Sequence, residues 1–297
     1  MDHDAAATAL SSEEASFSYV MTLQCPDAPG IVRATTGVIF ELGGNIVEND
    51  QFSDPVTGEF CMRTRFDTAL GDLDAVRERL GAELSNFHPR LGLRLNHERR
   101  RVLVLASSVD HCLADLLYHR EQGDLPVEIV AIVSNHPNLA PLAARYHVPF
   151  YEVPVGAETK VAAEARLREL VAAYDADYVV LARYMQILSS ELCAELSGRI
   201  VNIHHSFLPG FKGARAYHQA YQRGVKLIGA TAHFVTSDLD EGPIIEQDVA
   251  RVTHARGPED LVSLGADIER RVLTRAVRLL GEDRVALVGQ RTVVFWQ

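Results

Sequence analysis

Four short runs of apolar residues in the second two-thirds of the chain constrain its fold most strongly. The runs are VLVLAS at 102–107, VEIVAIVS at 127–134, YVVLA at 178–182 and IVNIHH at 200–205, and they alternate with helical patterns such as HCLADLLYHREQG. A strand without a polar face must be covered on both sides. The pattern therefore predicts an α/β fold with a doubly wound, mostly parallel, Rossmann-like sheet between two helix layers, joined by right-handed crossovers.

A different pattern precedes Arg101. FSYVMTLQC alternates with a period of two, PGIVRATTGVIFELGG has helical spacing, and NIVENDQFSD and GEFCMRTRFD read as strands joined by PVTG. An amphipathic helix, LGDLDAVRERLGAELSNF, and a short strand, RLGLRLN, complete a βαββαβ order that predicts an α+β, ferredoxin-like domain. We therefore divide the chain into a disordered tail (1–15), a ferredoxin-like domain (16–97), a linker (98–101) and the Rossmann-like domain (102–297).

Composition limits the class of protein and of partner. The chain has 297 residues, of which 47% are hydrophobic, enough for two cores. Twenty-nine basic and 40 acidic residues give a net charge of −11, which argues against nucleic acid or a membrane surface as a partner. The four cysteines form no C-x-x-C pair, the start lacks a signal-peptide pattern, and no apolar run approaches the ~18 residues of a membrane span. We expect a cytoplasmic protein with reduced thiols.

The turn after the first apolar run, ASSVDHCL, lacks the glycines of a phosphate-binding loop. Ser107, Ser108 and Asp110 could cap the following helix, and a carboxylate repels a phosphate at this position. The turn therefore predicts no nucleotide site.

The fourth run ends in polar side chains. Asn202 and His204 are two residues apart and point to the same side of an extended chain, whereas His205 points to the other. A later strand, Gly229 to Val235, is followed by a polar loop that contains Asp238 and Asp240. If the two strands are neighbours, we expect both loops at one edge of the sheet, where an amide, an imidazole and a carboxylate converge.

Each of these residues also has a structural interpretation. A single histidine at a strand end is more often a satisfied structural group than a catalyst, and an aspartate in a loop often caps a turn. A zinc site of His204, His233 and Asp240 is a further alternative. No H-x-x-x-H helix or cysteine partner supports zinc, so we expect no metal and no cofactor.

Over nearly all of residues 102–297 the chain resembles the tetrahydrofolate-dependent formyltransferase family. The resemblance rests on NIHHSFLPGFKG, GATAHFVTSDLDEGPIIEQ and LARYMQIL. By position it implies a catalytic amide, imidazole and carboxylate at Asn202, His204 and Asp240. It also implies a set of contacts to a folate substrate at Tyr184, Met185, Gln186, Leu188, His205, Gly213, His233, Val235, Thr236 and Asp238.

The first domain resembles the ACT family of regulatory domains. The motif D-x-P-G-I-V, which contains Asp27, Gly30 and Ile31, is followed by a G-G-N-I turn and a G-x-F-x-x-R strand. The resemblance implies a homo-oligomer and an amino-acid effector near the three named residues. The structural alternative is that Asp27 caps a helix whose first turn contains Pro29.

A formyltransferase-like domain that follows an ACT-like module and lacks a glycine-rich turn resembles the hydrolytic branch of that family. This implies that 10-formyltetrahydrofolate and water give tetrahydrofolate and formate, which balances the one-carbon folate pool and supplies formate for purine synthesis. Asn202 and His204 would donate hydrogen bonds to an oxyanion, and Asp240 would orient His204 and transfer a proton. Two alternatives remain: formyl transfer to an amine acceptor, and a non-catalytic folate or amino-acid sensor.

Three further predictions concern the attacking water, the end of the chain and the glutamate tail of the substrate. His205 and His233 could order the attacking water, and the residues RVALVGQRTVVF read as a hairpin around Gly289. Because a folate carries a glutamate tail, an acidic protein needs local cations to bind it. The candidates are Arg183, Lys212 and Arg215.

Overall fold

The computed structural model describes residues 16–210 and 216–296. They fall into two compact units, one that ends at Glu98 and one that begins at Arg99. None of the helices in this described part is long and apolar enough to cross a membrane.

The first unit has the predicted βαββαβ order. Its elements are β1 (Phe17–Pro26), α1 (Ile31–Glu41), β2 (Asn45–Ser53), β3 (Glu59–Thr68), α2 (Leu73–Leu84) and β4 (Arg90–Leu95). The sheet order is β2-β3-β1-β4, with every pair antiparallel. The alternating residues Tyr19, Met21 and Leu23 are buried in one core with apolar residues of both helices. The ferredoxin-like prediction is therefore confirmed.

The start of α1 differs from the prediction. The helix begins at Ile31 rather than at Pro29, and its N-cap is Gly30, whose φ of 100° lies in the left-handed region that glycine adopts without strain. No side chain caps the helix. Asp27 instead continues the pairing of β1 with its neighbour, since its backbone N–H donates a 2.7 Å hydrogen bond to Gly58 O.

The second unit contains a sheet of seven strands with helices on both faces. Its elements are β5 (Arg100–Ala106), α3 (His111–Gln122), β6 (Val127–Ser134), α4 (Ala140–Arg145), β7 (Phe150–Glu152), α5 (Lys160–Ala173), β8 (Tyr178–Leu181), α6 (Ser190–Glu195), β9 (Ile200–His204), α7 (Ala216–Gln222), β10 (Leu227–Phe234), β11 (Ile244–Arg251), α8 (Pro258–Gly281), β12 (Val285–Val288) and β13 (Arg291–Val294). The strand order is β11-β10-β9-β8-β5-β6-β7, and β12 and β13 form the predicted hairpin apart from it.

The apolar runs are buried on both faces, as the sequence predicts. Val102 and Val104 of β5 pack in a core shared with α3 and α8, whereas Leu103 and Leu105 pack in a second core shared with α5 and α6. Strands β5 to β9 are parallel, and β10 and β11 add an antiparallel edge. The doubly wound, mostly parallel sheet is therefore confirmed.

The first strand of this sheet starts earlier than the apolar run. Arg100 and Arg101, placed in the linker by the sequence, belong to β5. The Arg101 N–H donates a 2.7 Å hydrogen bond to Asp177 Oδ2, and the Arg100 guanidinium lies within 2.9 Å of both Asp177 and Asp283. The Arg101 guanidinium lies 2.7 Å from Glu128 Oε2, so both arginines can extend the strand because their charges are paired.

The sheet has a crevice where its winding reverses. The chain runs from β5 outward through β6 and β7 and then returns to β8 and β9 on the other side of β5. The loops after β5 and β8 therefore leave the sheet in opposite directions. Ligands of doubly wound folds bind at such a point, beyond the carboxyl ends of the strands.

Candidate functional site

Three polar side chains share one face of two neighbouring strands. Asn202 and His204 point to the same side of β9 as Ile200, which packs in the core shared with α5 and α6. His233 lies directly opposite Asn202 in the antiparallel pairing of β9 with β10, and opposite residues of a pair share a face. The regular geometry of the sheet thus brings an amide and two imidazoles together.

Asp240 reaches the same place by a different route from the predicted one. We expected the loops after β9 and β10 to meet because both strands would end at the same edge of the sheet. This reason is wrong, because β10 runs antiparallel to β9 and the two strands end at opposite edges. Val235, at the start of the loop, donates a 2.8 Å hydrogen bond to Ile200 O, at the beginning of β9. The loop then folds back along β9, roughly 13 Å for four residues, and places Asp240 beside His204.

The loop at 235–243 is fixed at both ends. The Phe234 N–H donates a 2.8 Å hydrogen bond to Pro243 O, so the loop ends beside the residue from which it leaves. A Cβ at Gly242 would lie 1.7 Å from Phe234 O, and only glycine fits that approach without a backbone shift. Asp240 itself has a φ of 58°, in the left-handed region that aspartate adopts more readily than most residues.

His204 and Asp240 form a buried pair. His204 Nδ1 lies 3.2 Å from Asp240 Oδ1, and both side chains are 5% exposed. An ionised carboxylate only accepts, so Nδ1 carries the proton in this contact. Nε2 is the other ring nitrogen of His204, and it donates only when the ring is an imidazolium.

His233 orients the Asn202 amide. His233 Nδ1 lies 2.8 Å from Phe234 O and donates to it, so Nε2 is an acceptor in the neutral ring. Nε2 lies 3.3 Å from Asn202 Nδ2 and accepts one of its two hydrogens. Burial lowers the pKa of His233, which keeps the ring in this neutral form, and the hydrogen bond to Phe234 opposes that shift. The second amide hydrogen of Asn202 remains for a ligand.

A zinc site at these residues gains no support from the geometry. Asp240 Oδ1 is 3.9 Å from His233 Nε2, whose ring is already hydrogen-bonded at both nitrogens. Among the described residues, the histidine, cysteine and acidic atoms close enough together to share one ion belong to a different group, His111, Cys112 and Glu269.

A cavity of about 260 Å³ opens over Asn202, His204 and Asp240. Its walls come from the segment after β8 and from the loop at 235–243. They include almost all of the predicted substrate contacts, namely Tyr184, Met185, Gln186, Leu188, His205, His233, Val235, Thr236 and Asp238. Gly213, with Lys212 and Arg215, lies outside the described residues.

Two predictions near the cavity need correction. Ser107 does not cap α3, since its hydroxyl donates to Asn135 Oδ1 at 2.7 Å and accepts a 3.0 Å hydrogen bond from Met185 N. Arg183 does not face solvent as a cation for a glutamate tail would. Its side chain is 17% exposed, and Nε lies 3.3 Å from Glu269 Oε2.

His205 follows the last residue of β9 and lies in a polar layer with Tyr217 and Arg183, and its ring centre is 5.0 Å from that of His204. Its ring packs edge-on against Tyr217, with ring centres 5.9 Å apart. Burial, the Arg183 charge and His204 together lower the pKa of His205 to about 4, against weaker opposing contributions from Glu269 and Asp240. His205 is therefore neutral near pH 7.

Glu269 at the centre of this layer escaped the sequence analysis. It is 2% exposed and lies at a core position of α8, one turn before the buried apolar residues Val272 and Leu273. A charged residue at a core position of an amphipathic helix is the signal that could have identified it, because such residues are buried only when paired.

Comparisons with known proteins identify the family of the chain. A family model described as formyl transferase matches residues 100–277. A formyltetrahydrofolate deformylase of Corynebacterium sp. (strain P-1) is 48% identical over 93% of this chain and 97% of its own. A crystal structure of formyltetrahydrofolate deformylase from Burkholderia mallei superposes with a TM-score of 0.91 at 48% identity, and covers 94% of this chain and 100% of that one.

A transformylase is similar over a smaller part of the chain. The crystal structure of glycinamide ribonucleotide transformylase 1 from Symbiobacterium toebii has a TM-score of 0.64 at 33% identity and covers 69% of this chain and 98% of that one. The similarity to deformylases extends over both units. The chain belongs to the formyl transferase family and, within it, to the formyltetrahydrofolate deformylases.

Proposed function

We propose that the protein hydrolyses 10-formyltetrahydrofolate to formate and tetrahydrofolate, with Asn202, His204 and Asp240 as its catalytic residues. The observation that carries the proposal is the buried 3.2 Å contact between His204 and Asp240 on the floor of a cavity that also contains the Asn202 amide. Names of relatives at 43–48% identity over 93% of the chain support the same reaction.

The reaction needs hydrogen-bond donors where negative charge develops. Attack of water on the formyl carbon converts its carbonyl oxygen into an oxyanion. The two donors are the second amide hydrogen of Asn202 and, in the imidazolium, Nε2–H of His204, and both residues line the cavity. One such donor contributes roughly 3 to 4 kcal/mol to transition-state stabilisation when it is fixed in advance.

Asp240 has two tasks in this scheme. It accepts the Nδ1 hydrogen bond of His204, which stabilises the imidazolium that can donate from Nε2. It also takes a proton from the attacking water. The carbon–N10 bond then breaks, N10 receives a proton, and formate and tetrahydrofolate leave.

The alternatives fit the site less well. A pure folate or amino-acid sensor needs no oxyanion donors beside a buried acid. Transfer to an amine needs a place for the acceptor, and the turn at 107–110 contains Asp110 where a phosphate-bearing acceptor would need glycine N–H groups.

We predict that Asp240→Asn lowers kcat for formate release by about 10²-fold or more, because Asn cannot accept a proton from water. Folate affinity changes little, since the side-chain volume is conserved. The measurement is formate release from 10-formyltetrahydrofolate without an added acceptor, with calorimetric titration of tetrahydrofolate for binding.

Glu241→Gln is the matched control. It removes one negative charge from an exposed position of the same loop that does not line the cavity. This variant should turn over as the wild type does. Unchanged turnover in Asp240→Asn would refute the mechanism, and a wild type that releases no formate without an acceptor would refute the proposed reaction.

The protonation state of His205 gives a prediction for pH. Because the pKa of His205 is about 4, the ring stays neutral between about pH 5 and 8 and cannot produce a limb of the pH–rate profile there. In His205→Gln, kcat/KM therefore keeps the midpoints of the wild-type profile, whatever its absolute level. If a midpoint of the kcat/KM profile moves by more than about half a pH unit in His205→Gln, the titration that controls the rate belongs to His205 instead.

We propose a metabolic role that follows from the products. Hydrolysis returns tetrahydrofolate to the one-carbon pool and releases formate that purine synthesis can use. A reaction that consumes 10-formyltetrahydrofolate needs control. For this reason we consider the first unit as an ACT-like regulatory module of a homo-oligomer.

The proposed effector site lies at the turn with Asp27, Gly30 and Ile31. The uncapped start of α1 leaves backbone N–H groups that suit the carboxylate of an amino acid, and Gly30 allows a ligand to approach closely. Ile31 is 1% exposed, so it would contribute its N–H and not its side chain.

We predict that at least one common amino acid, methionine and glycine included, changes the rate of formate release and binds the full-length protein in a calorimetric titration. Light scattering in the same buffer gives the number of copies. A rate indifferent to every common amino acid would remove the regulatory proposal while leaving the hydrolytic one intact.

A further inference from the structure

The crevice at the reversal point of the large sheet is closed by side chains. On one side, the 3.0 Å hydrogen bond from Met185 N to Ser107 Oγ joins the loop after β8 to the loop after β5. On the other, Arg183 and His111, from the loop after β8 and the start of α3, meet at Glu269 of α8. An open doubly wound sheet leaves this space to a ligand.

Glu269 holds three partners at once. Its Oε2 lies 2.8 Å from His111 Nε2 and 3.3 Å from Arg183 Nε, and its Oε1 accepts a 2.8 Å hydrogen bond from the Tyr217 hydroxyl. Arg183 Nε is buried and has no hydrogen bond in the described part of the chain, so it meets Glu269 as an ion pair. We call these four residues, His111, Arg183, Tyr217 and Glu269, the Glu269 cluster.

The carboxylate of Glu269 is ionised in this setting. Burial alone would raise its pKa, but the hydrogen bond with His111, the charges of Arg183 and His111 and the hydrogen bond with Tyr217 together lower it. An ionised carboxylate at 2% exposure depends on those partners, because a buried charge without compensation is costly. The four side chains of the cluster therefore hold one another in place.

The backbone is adapted to the cluster. Gly265 lies one turn before Glu269 on α8, and a Cβ there would lie 2.1 Å from Cζ of Tyr217, so the missing side chain makes room for the ring. Arg183 has a φ of 62°, an unusual value for a residue other than glycine or asparagine. Strain of this kind persists where the surrounding contacts require it.

The cluster borders the reacting groups. Arg183 lines the same cavity as His204 and Asp240. The ring of His205, which also lines that cavity, packs between His204 and Tyr217. The Glu269 cluster thus fills the side of the site that faces the closed crevice, whereas the segments at 184–188 and 235–239 line the part assigned to the folate.

We propose that Arg183, held in place by Glu269, occupies the space that an amine acceptor would need beside the formyl group, and that it thereby restricts the nucleophile to water. The inference rests on the proposed hydrolysis and adds the residues that determine its acceptor. Arg183 and Glu269 are specificity-determining and positioning residues, and neither takes part in proton transfer.

The two reactions differ only in the nucleophile. In hydrolysis the oxygen of water bonds to the formyl carbon, the carbon–N10 bond breaks, and a proton from water reaches N10. In transfer the nitrogen of a primary amine forms the new bond, the same bond breaks, and a proton from the amine reaches N10. The products are then an N-formyl amine and tetrahydrofolate, and no further reactant is needed.

The test compares two double variants of the full-length protein. R183G/E269Q removes the bulk of the arginine and neutralises the carboxylate, so that no unpaired charge remains buried, and glycine suits the φ of 62°. R183M/E269Q makes the same change in charge but keeps a long side chain in the crevice. Each is mixed with 10-formyltetrahydrofolate and glycinamide, and N-formylglycinamide and formate are quantified.

The account predicts that R183G/E269Q gives a ratio of N-formylglycinamide to formate about tenfold or more above that of the wild type, rising with glycinamide concentration. R183M/E269Q keeps the wild-type ratio. A change confined to folding or stability would alter the overall rate and not this partition. Equal ratios in the two double variants, whether raised or not, would overturn the proposal.

The wild type provides a second test that does not depend on a variant. If it transfers the formyl group to glycinamide in proportion to the amine, the cluster does not exclude acceptors and the inference fails. A wild type that releases formate in buffer alone, paired with an R183G/E269Q variant that releases only formate, rejects the inference and leaves the proposed function standing. A wild type with no formate release rejects the proposed function itself.

Discussion

The arrangement depends on one buried contact, between Nδ1 of His204 and a carboxylate oxygen of Asp240. Each partner is costly to bury as a charge alone, and together they form a charge-assisted hydrogen bond when the ring is protonated. The contact holds the ring of His204 by Nδ1, and we assign Nε2 to the substrate. Asn202, oriented by the neutral His233, adds a second donor on the same face of the sheet.

The sheet and the loop contribute differently to this contact. The pleat of β9 and its register with β10 place Asn202, His204 and His233 without any special feature. Asp240 requires the loop at 235–243 to fold back against the direction of its own strand, and Gly242 makes that possible because its backbone lies directly against Phe234. The Glu269 cluster closes the crevice beside these groups. Because Arg183 lines the same cavity as His204 and Asp240, the residues that we assign to acceptor exclusion border the proton-transfer groups directly.

Much of the fold could be predicted from the sequence, because burial leaves a direct mark on it. The run VLVLAS has apolar residues at consecutive positions, so both faces of the strand are apolar, and the structure buries both faces. The residues of the site were identified from strand-end polarity and family resemblance. The path of the chain to Asp240 was not, since the direction of β10 relative to β9 is not encoded in its apolar pattern. The start of α1 at Ile31 and the pairing of Arg100 depend on the left-handed turn at Gly30 and on contacts with Asp177 and Asp283, which are distant in sequence.

Glu269 escaped prediction for a related reason. Its partners come from three other elements, and no spacing rule connects His111, Arg183 and Tyr217. A single acidic residue in a helix is ordinary until its position in the core is known. Long-range pairs of this kind become visible only when the strands and helices are assembled.

A crystal structure of the Asp240→Asn variant with bound 10-formyltetrahydrofolate tests the central claim most directly. The account predicts the formyl oxygen within about 3.2 Å of both Asn202 Nδ2 and His204 Nε2, with the pterin in the cavity between the segments at 184–188 and 235–239. A formyl oxygen beyond hydrogen-bond distance of both nitrogens, in a complex whose loop at 235–243 keeps its position, would contradict it.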